Sequence, residues 1–209
     1  MFGIHSMIVP NISNDTRTAL LSSVVASVVL VVLSGCSSPT PSVVVQTTSI
    51  AAIPAVAPRA TVWLFISTDC PICNGYQPEL ERMRARYSPL AIDFVGVYPE
   101  VPLSTQEVAD HVRDFAINYP TIIDTDHSLR KRFGVRFVPE VIVTAGGRGA
   151  AVDPSTILYR GRIDDQYPER GSRRPSATEH DLENALQAIA NGRVPNVTVT
   201  TPVGCVLEP

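Results

Sequence analysis

The sequence predicts one α/β domain, a central mixed β-sheet with helices on both faces, and three observations predict it. Apolar stretches with strand character alternate with amphipathic helical segments in the order β-α-β-α-β-α-β-β-α, an order that packs as a sheet covered by helices. The chain has 209 residues, 44% of them hydrophobic, enough to bury one good core and little more. A Cys70-Pro71-Ile72-Cys73 motif stands where the first strand ends and the first helix begins. The formal net charge is -3 with no basic run, so nothing in the composition points to nucleic acid.

Residues 1–35 read as an export signal rather than as fold. Arg17 precedes an apolar region that runs through Val28-Val29-Leu30-Val31-Val32-Leu33, the composition of a signal-peptide core. It ends in Leu33-Ser34-Gly35-Cys36, which resembles the bacterial lipoprotein box and implies lipidation at Cys36. Acyl chains of that kind hold a protein on a membrane without a spanning helix. Residues 36–59 are Ser, Thr, Pro, Val and Ala with no charge before Arg59, and read as a semi-extended tether. The domain is then expected over 60–192 and a C-terminal tail over 193–209, with the domain facing the periplasm or cell exterior. Export also places the cysteines where disulfides persist.

Within the domain, residues 61–67 read as a buried strand. Tyr76, Leu80, Met83 and Tyr87 recur at helical spacing over 73–87. A second strand is expected over 91–97. Ser104-Thr105-Gln106-Glu107 carries a capping-box signature for a helix reaching about residue 117. A short strand over 121–123 and a short helix over 128–133 follow, the latter ended by Gly134. Two strands, 138–144 and 156–162, are joined by a Gly-rich turn around 145–151. A last helix starts at Thr178 or Glu179, runs to residue 190 and stops at Asn191-Gly192.

Two cysteines three apart at a strand end and helix start form a dithiol able to cycle with a disulfide. The helix N-terminus carries partial positive charge and free N–H groups, which favour a thiolate at the first cysteine. Cys70 is therefore the expected attacking thiolate, forming a mixed disulfide that Cys73 resolves. Zinc is the competing use of such a pair, but no second pair or nearby His cluster completes four ligands. No metal or other cofactor is expected.

The element order, with Cys-X-X-Cys after a core strand, resembles the thioredoxin fold. Phe133-Gly134-Val135-Arg136-Phe137-Val138-Pro139 is similar to the segment that carries that family's cis-proline. The resemblance implies a cis Val138–Pro139 bond, with Pro139 beside the dithiol and a backbone edge left for an extended substrate chain. Asp69-Cys70-Pro71-Ile72-Cys73-Asn74-Gly75-Tyr76-Gln77-Pro78-Glu79-Leu80 is similar to the redoxin branch, the alkyl hydroperoxide reductase and thiol-specific antioxidant relatives. So are Val138-Pro139-Glu140-Val141 and Tyr159-Arg160-Gly161-Arg162-Ile163-Asp164-Asp165, and Val203-Gly204-Cys205 looks like the end of peroxiredoxin-like bacterial proteins. The resemblance spans about residues 60–205. It implies an oxidoreductase acting on protein thiols and disulfides or on hydroperoxides, supplied by an extracytoplasmic electron donor.

The departures matter as much. Peroxiredoxins carry Pro-X-X-X-Thr-X-X-Cys around their reactive cysteine; here Trp63 and Ser67 hold the first two places, which argues against peroxide activation. Asp69 stands where thioredoxins usually have Trp. Leu64 stands where they bury an acid, leaving Asp69 or Glu140 as substitute bases for Cys73. Cys205 has three open readings: a distal resolving cysteine, a thiol tying the tail to the domain, or a small apolar residue at a docking point. His111, His127 and His180 are expected at the surface. Arg160, Arg162, Asp164 and Asp165 follow a strand period and have three open readings. They are a solvated strand end, which is the expected one, pairing across the sheet edge, or a place near the thiols, where peroxide chemistry wants a cation beside the thiolate. The leading functional expectation is a membrane-tethered thiol–disulfide oxidoreductase. The alternatives are a peroxiredoxin-like thiol peroxidase and a non-catalytic binding module.

Overall fold

The structure is a computed structural model that describes residues 59–148 and 153–208. The expected signal segment, Cys36 and the tether up to residue 58 lie outside the described residues. Eleven elements follow one another: β1 (Ala60–Phe65), α1 (Pro71–Tyr87), β2 (Ile92–Tyr98), α2 (Thr105–Asp114), β3 (Thr121–Ile123), α3 (Ser128–Phe133), β4 (Phe137–Val138), β5 (Glu140–Ala145), β6 (Ile157–Gly161), α4 (Asp181–Ala190) and β7 (Cys205–Val206).

Five strands form the central sheet in the order β3-β2-β1-β5-β6. β1 pairs parallel with β2 and antiparallel with β5, Val62 facing Phe94 on one side and Val143 on the other. The sheet is therefore mixed, as its sequence predicts, and helices cover both faces. Every residue of β1 is buried, which explains its near-continuous apolar run. On one face, the Phe133 ring of α3 packs 6.3 Å from Trp63 and 6.1 Å from Phe65. Helix α1 buries Ile72, Cys73, Tyr76, Leu80, Met83 and Tyr87, a stripe at helical spacing. Arg82 and Arg86 reach from α1 to Glu183 of α4.

Local signals settle the element ends. Pro71 begins α1, where its missing N–H costs nothing. Ser104 and Glu107 form both bonds of the capping box at α2, at 3.2 and 2.8 Å. Gly134 ends α3 with φ +64°, a left-handed position open to glycine.

Two expectations about strands need correction. The single strand expected from residue 138 is two, β4 and β5, separated by Pro139, which has no N–H to extend a ladder. No strand is expected in the tail over 193–209, yet it pairs with the rest of the domain twice. Val199 bridges to Arg160 of β6, with Arg160 N–H donating to the Thr198 carbonyl at 2.9 Å and Thr200 N–H to the Arg160 carbonyl at 3.0 Å. Further on, β7 pairs antiparallel with β4.

The polar expectations also change. His111 is only 5% exposed, not a surface residue. Its Nε2 donates to Asn74 Oδ1 at 2.8 Å and its Nδ1 accepts from the Tyr98 hydroxyl at 2.7 Å. The Asn74 amide is oriented by its own donation to the Thr68 carbonyl. Burial pushes the His111 pKa down, consistent with a neutral ring that ties α1, α2 and β2 together. Asp164 and Asp165 are buried rather than solvated. Asp164 accepts from the Tyr76 hydroxyl at 2.5 Å, and Asp165 accepts from Thr178 N–H and Glu179 N–H at 2.7 and 3.0 Å. Arg160 and Arg162 do find partners across the fold, Glu140 and Asp181.

Candidate active site

Cys70 is the residue immediately before α1, in extended conformation, and Cys73 lies within the first helical turn. Their position follows from β1 ending in a short turn that Ser67 closes by accepting the Asp69 N–H at 3.2 Å. Cys70 is 2% exposed and Cys73 fully buried. Opposite them lies the β4–β5 junction, where the Val138–Pro139 bond is cis, as the resemblance implied. The Val138 carbonyl sits 3.4 Å from Cys70 Sγ.

The third sulfur comes from the tail. β7 pairs Cys205 with Val138 and Val206 with Phe137, and Leu207 N–H donates to the Arg136 carbonyl at 3.0 Å. The Arg130 guanidinium holds the Leu207 and Glu208 carbonyls. This places Cys205 Sγ 2.8 Å from Cys70 Sγ, longer than the ~2.05 Å of a covalent disulfide. Cys70, Cys73 and Cys205 are all free thiols. Of the three readings open for Cys205, the structure places it against Cys70.

Hydrogen bonding separates the three thiols. The Cys70 pKa is held down to about 5, chiefly by the Cys73 thiol donating to it, with burial opposing and the Cys205 thiol assisting. The start of α1 favours the same thiolate. As a neutral thiol Cys70 donates to the Val138 carbonyl; once ionised it accepts from its two neighbours. Burial pushes Cys73 well above its ordinary value, and the facing Cys70 adds to the shift. Cys205 is pushed up to about 12 by burial and then by the same neighbour. The arrangement is one nucleophile flanked by two protonated donors.

The remaining expected residues do other work. Trp63 is buried and its indole donates to Thr144 Oγ1 at 3.0 Å. Leu64 is a core residue, and Asp69 is exposed. Glu140 is buried and accepts from Arg160 at 2.5 Å; burial still pushes its pKa up against that cation. The hydrogen bonds of the Cys70 thiol run to Val138, Cys73 and Cys205, none of them a cation. Among the described residues, no group of three or more His, Cys, Asp and Glu side chains is placed to hold a metal ion.

The sequence puts Cys70 and Cys73 at the start of α1 and Pro139 just before β5, where the structure has them, but it does not show the strand that brings Cys205 to Cys70. The signal was present in outline. Val203, Cys205 and Leu207 alternate with Gly204 and Val206, the period of a strand with one buried face. Gly204 marks the close approach: an added Cβ would lie 2.0 Å from the Val138 carbonyl oxygen.

Fold and site together define an oxidoreductase of the thioredoxin-like fold. The AhpC/TSA family model matches residues 40–159, and the chain belongs to that family. No curated protein matches it. Among solved structures, a hypothetical protein of Sinorhizobium meliloti is similar at 22% identity and TM-score 0.59, covering 71% of this chain and 78% of that one. An uncharacterized conserved protein of Geobacillus kaustophilus is similar at 22% identity and TM-score 0.60, covering 73% and 78%. At these identities the two likenesses show the fold.

Proposed function

We propose that the protein is a membrane-tethered thiol–disulfide oxidoreductase that exchanges with exported partner proteins through Cys70 and Cys73. The observation that carries this reading is the convergence of the Cys73 and Cys205 thiols on a Cys70 held low in pKa. The Cys70 thiolate attacks one sulfur of a partner disulfide. A Cys70–partner bond forms, the partner S–S bond breaks, and the second partner sulfur leaves as thiolate and takes a proton. Cys73 then loses its proton and attacks Cys70 Sγ, forming the Cys70–Cys73 disulfide and releasing the first partner sulfur as thiolate. Two electrons pass to the partner, and an extracytoplasmic donor restores the dithiol. Pro139, with no N–H, follows the Val138 carbonyl that faces Cys70 Sγ at 3.4 Å, and the partner chain would lie along this edge.

The tether rests on sequence alone: the lipoprotein-like box ending in Cys36 and the Pro-rich stretch after it. Mass spectrometry of the mature N-terminus is expected to find acylated Cys36; an unmodified, soluble product removes this part of the proposal.

A second reading has one observation in its favour. Cys70 is only 2% exposed, a depth that a small hydroperoxide reaches more readily than a protein chain. In that reaction the Cys70 thiolate takes one peroxide oxygen to become sulfenic acid, and the alcohol or water leaves. A neighbouring thiol then forms a disulfide with Cys70 and releases water. Stopped-flow mixing of the reduced protein with hydrogen peroxide, run beside an insulin-reduction assay, separates the two. Insulin reduction with slow peroxide consumption is expected; rapid peroxide-dependent loss of the Cys70 thiol would sink the exchange reading.

A further inference from the structure

The edge of β4 beside Pro139 is where an exchange partner would pair, and it is already occupied. β7 takes it with Cys205 opposite Val138, 2.8 Å from Cys70 Sγ. We propose that residues 203–207 are an internal peptide substrate, held on the β4 edge so that Cys205 forms a disulfide with Cys70 and a partner peptide must displace the tail to exchange. This deepens the exchange reading and rests on it.

Four features of the tail are those of a bound peptide. It is extended and pairs through its backbone, the mode by which strands are added to sheet edges. Its cysteine faces the nucleophile. Gly204 lies so close that an added Cβ would meet the Val138 carbonyl oxygen at 2.0 Å and Pro139 N at 2.9 Å. Two residues after the cysteine, Leu207 is 6% exposed, while Val206 between them points outward at 57%. The occupant of this edge is therefore an extended segment with glycine immediately before a cysteine and an aliphatic residue two after it. A partner protein that binds here presents the same pattern. Space for the exchange exists alongside: Pro71, Ile72, Tyr167 and Cys205 border a cavity of about 340 Å³.

The internal step balances without any outside reagent. Starting from a Cys70–Cys73 disulfide, Cys205 loses its proton and attacks Cys70 Sγ. The Cys70–Cys205 bond forms, the Cys70–Cys73 bond breaks, and Cys73 leaves as thiolate and takes that proton. No electrons are gained or lost. Cys70 is the shared sulfur because both neighbours hydrogen-bond to it.

The test uses full-length protein in detergent. Its first arm needs no variant: peptide mapping of the oxidised chain without reduction is expected to find Cys70 linked to Cys205 as well as to Cys73. Linkage to Cys73 alone overturns the proposal. The second arm follows reduced protein reacting with the peptide Thr-Pro-Val-Gly-Cys-Val-Leu-Glu, its cysteine carrying glutathione as a mixed disulfide, and with the same peptide bearing Val for Gly. Gly204→Ala, which forces the tail off β4, and a chain ended after Pro202 are expected to react with the Gly peptide at least about tenfold faster than wild type. They are also expected to prefer it over the Val peptide. Unchanged peptide rates, with glutathione disulfide still reacting, overturn the internal substrate and leave the exchange function standing. No reaction with peptide or glutathione disulfide in any chain overturns both. Should the shortened chain fail to fold, Gly204→Ala and the mapping decide.

Discussion

Cys70 and Cys73 share one turn, yet their hydrogen bonds run in opposite directions: Cys73 donates and Cys70 receives. Burial raises both, so the direction of donation decides which sulfur ionises. Alkylation of the reduced protein by iodoacetamide is expected to follow a midpoint near pH 5, the value at which Cys70 is held. Cys73→Ala should move that midpoint upward, and by more than Cys205→Ala, because Cys73 supplies the largest stabilising contribution. An equal or reversed order would show that the tail, not the helix partner, holds the thiolate. The pair and Pro139 were legible in the sequence because each depends on local spacing. The burial of His111, Asp164 and Asp165 was not, because their partners Asn74, Tyr76 and Thr178 lie on distant segments.

Elements whose signals are local came through almost unchanged: β3 and α3 match their expected ranges, and Ser104 caps α2. Those that depend on pairing did not. Two-residue strands such as β4 and β7 are too short to be assigned alone, and their mutual pairing, which the alternation over 203–207 only outlines, defines them. Helix α1 offers a case where propensity and packing disagree. Gly75 lies inside the helix, where Ala is ordinarily better by about 1 kcal/mol. Here an added Cβ would fall 2.1 Å from the Tyr167 hydroxyl, whose ring packs 4.9 Å from Tyr76. Gly75→Ala is expected to destabilise by about 1–3 kcal/mol, the usual cost of overpacking. Urea unfolding followed through Trp63 fluorescence checks this; a stabilised variant would show that Tyr167 moves aside freely.

At the scale of the whole molecule, the three thiols tie stability to pH. Cys70 has a folded pKa of about 5 against an ordinary 9.0, so its contribution is complete above pH 9 and is lost as pH falls through 5. Cys205 has a folded pKa of about 12 against 9.0, so its contribution is complete below pH 9 and is lost as pH rises through 12; Cys73 acts in the same direction. The reduced protein should gain stability from about pH 5 to 9 and lose it above, relative to the oxidised protein. Urea midpoints of the two forms across that range check the sign; parallel curves would contradict it.

The pairing of residues 198–200 with β6 has a separate consequence, for how copies of the chain meet one another. β6 is the last strand of its sheet, and an uncovered last strand is a template for another copy to extend. Arg160 spends its N–H and carbonyl on Thr198 and Thr200, and Gly161 admits the Thr200 hydroxyl where an added Cβ would leave only 2.1 Å. A chain ended after Pro202 keeps this cover, whereas one ended after Pro195 loses it. Light scattering should find the first dispersed and the second associating with concentration, so that solubility is set several residues before the tail reaches a sulfur.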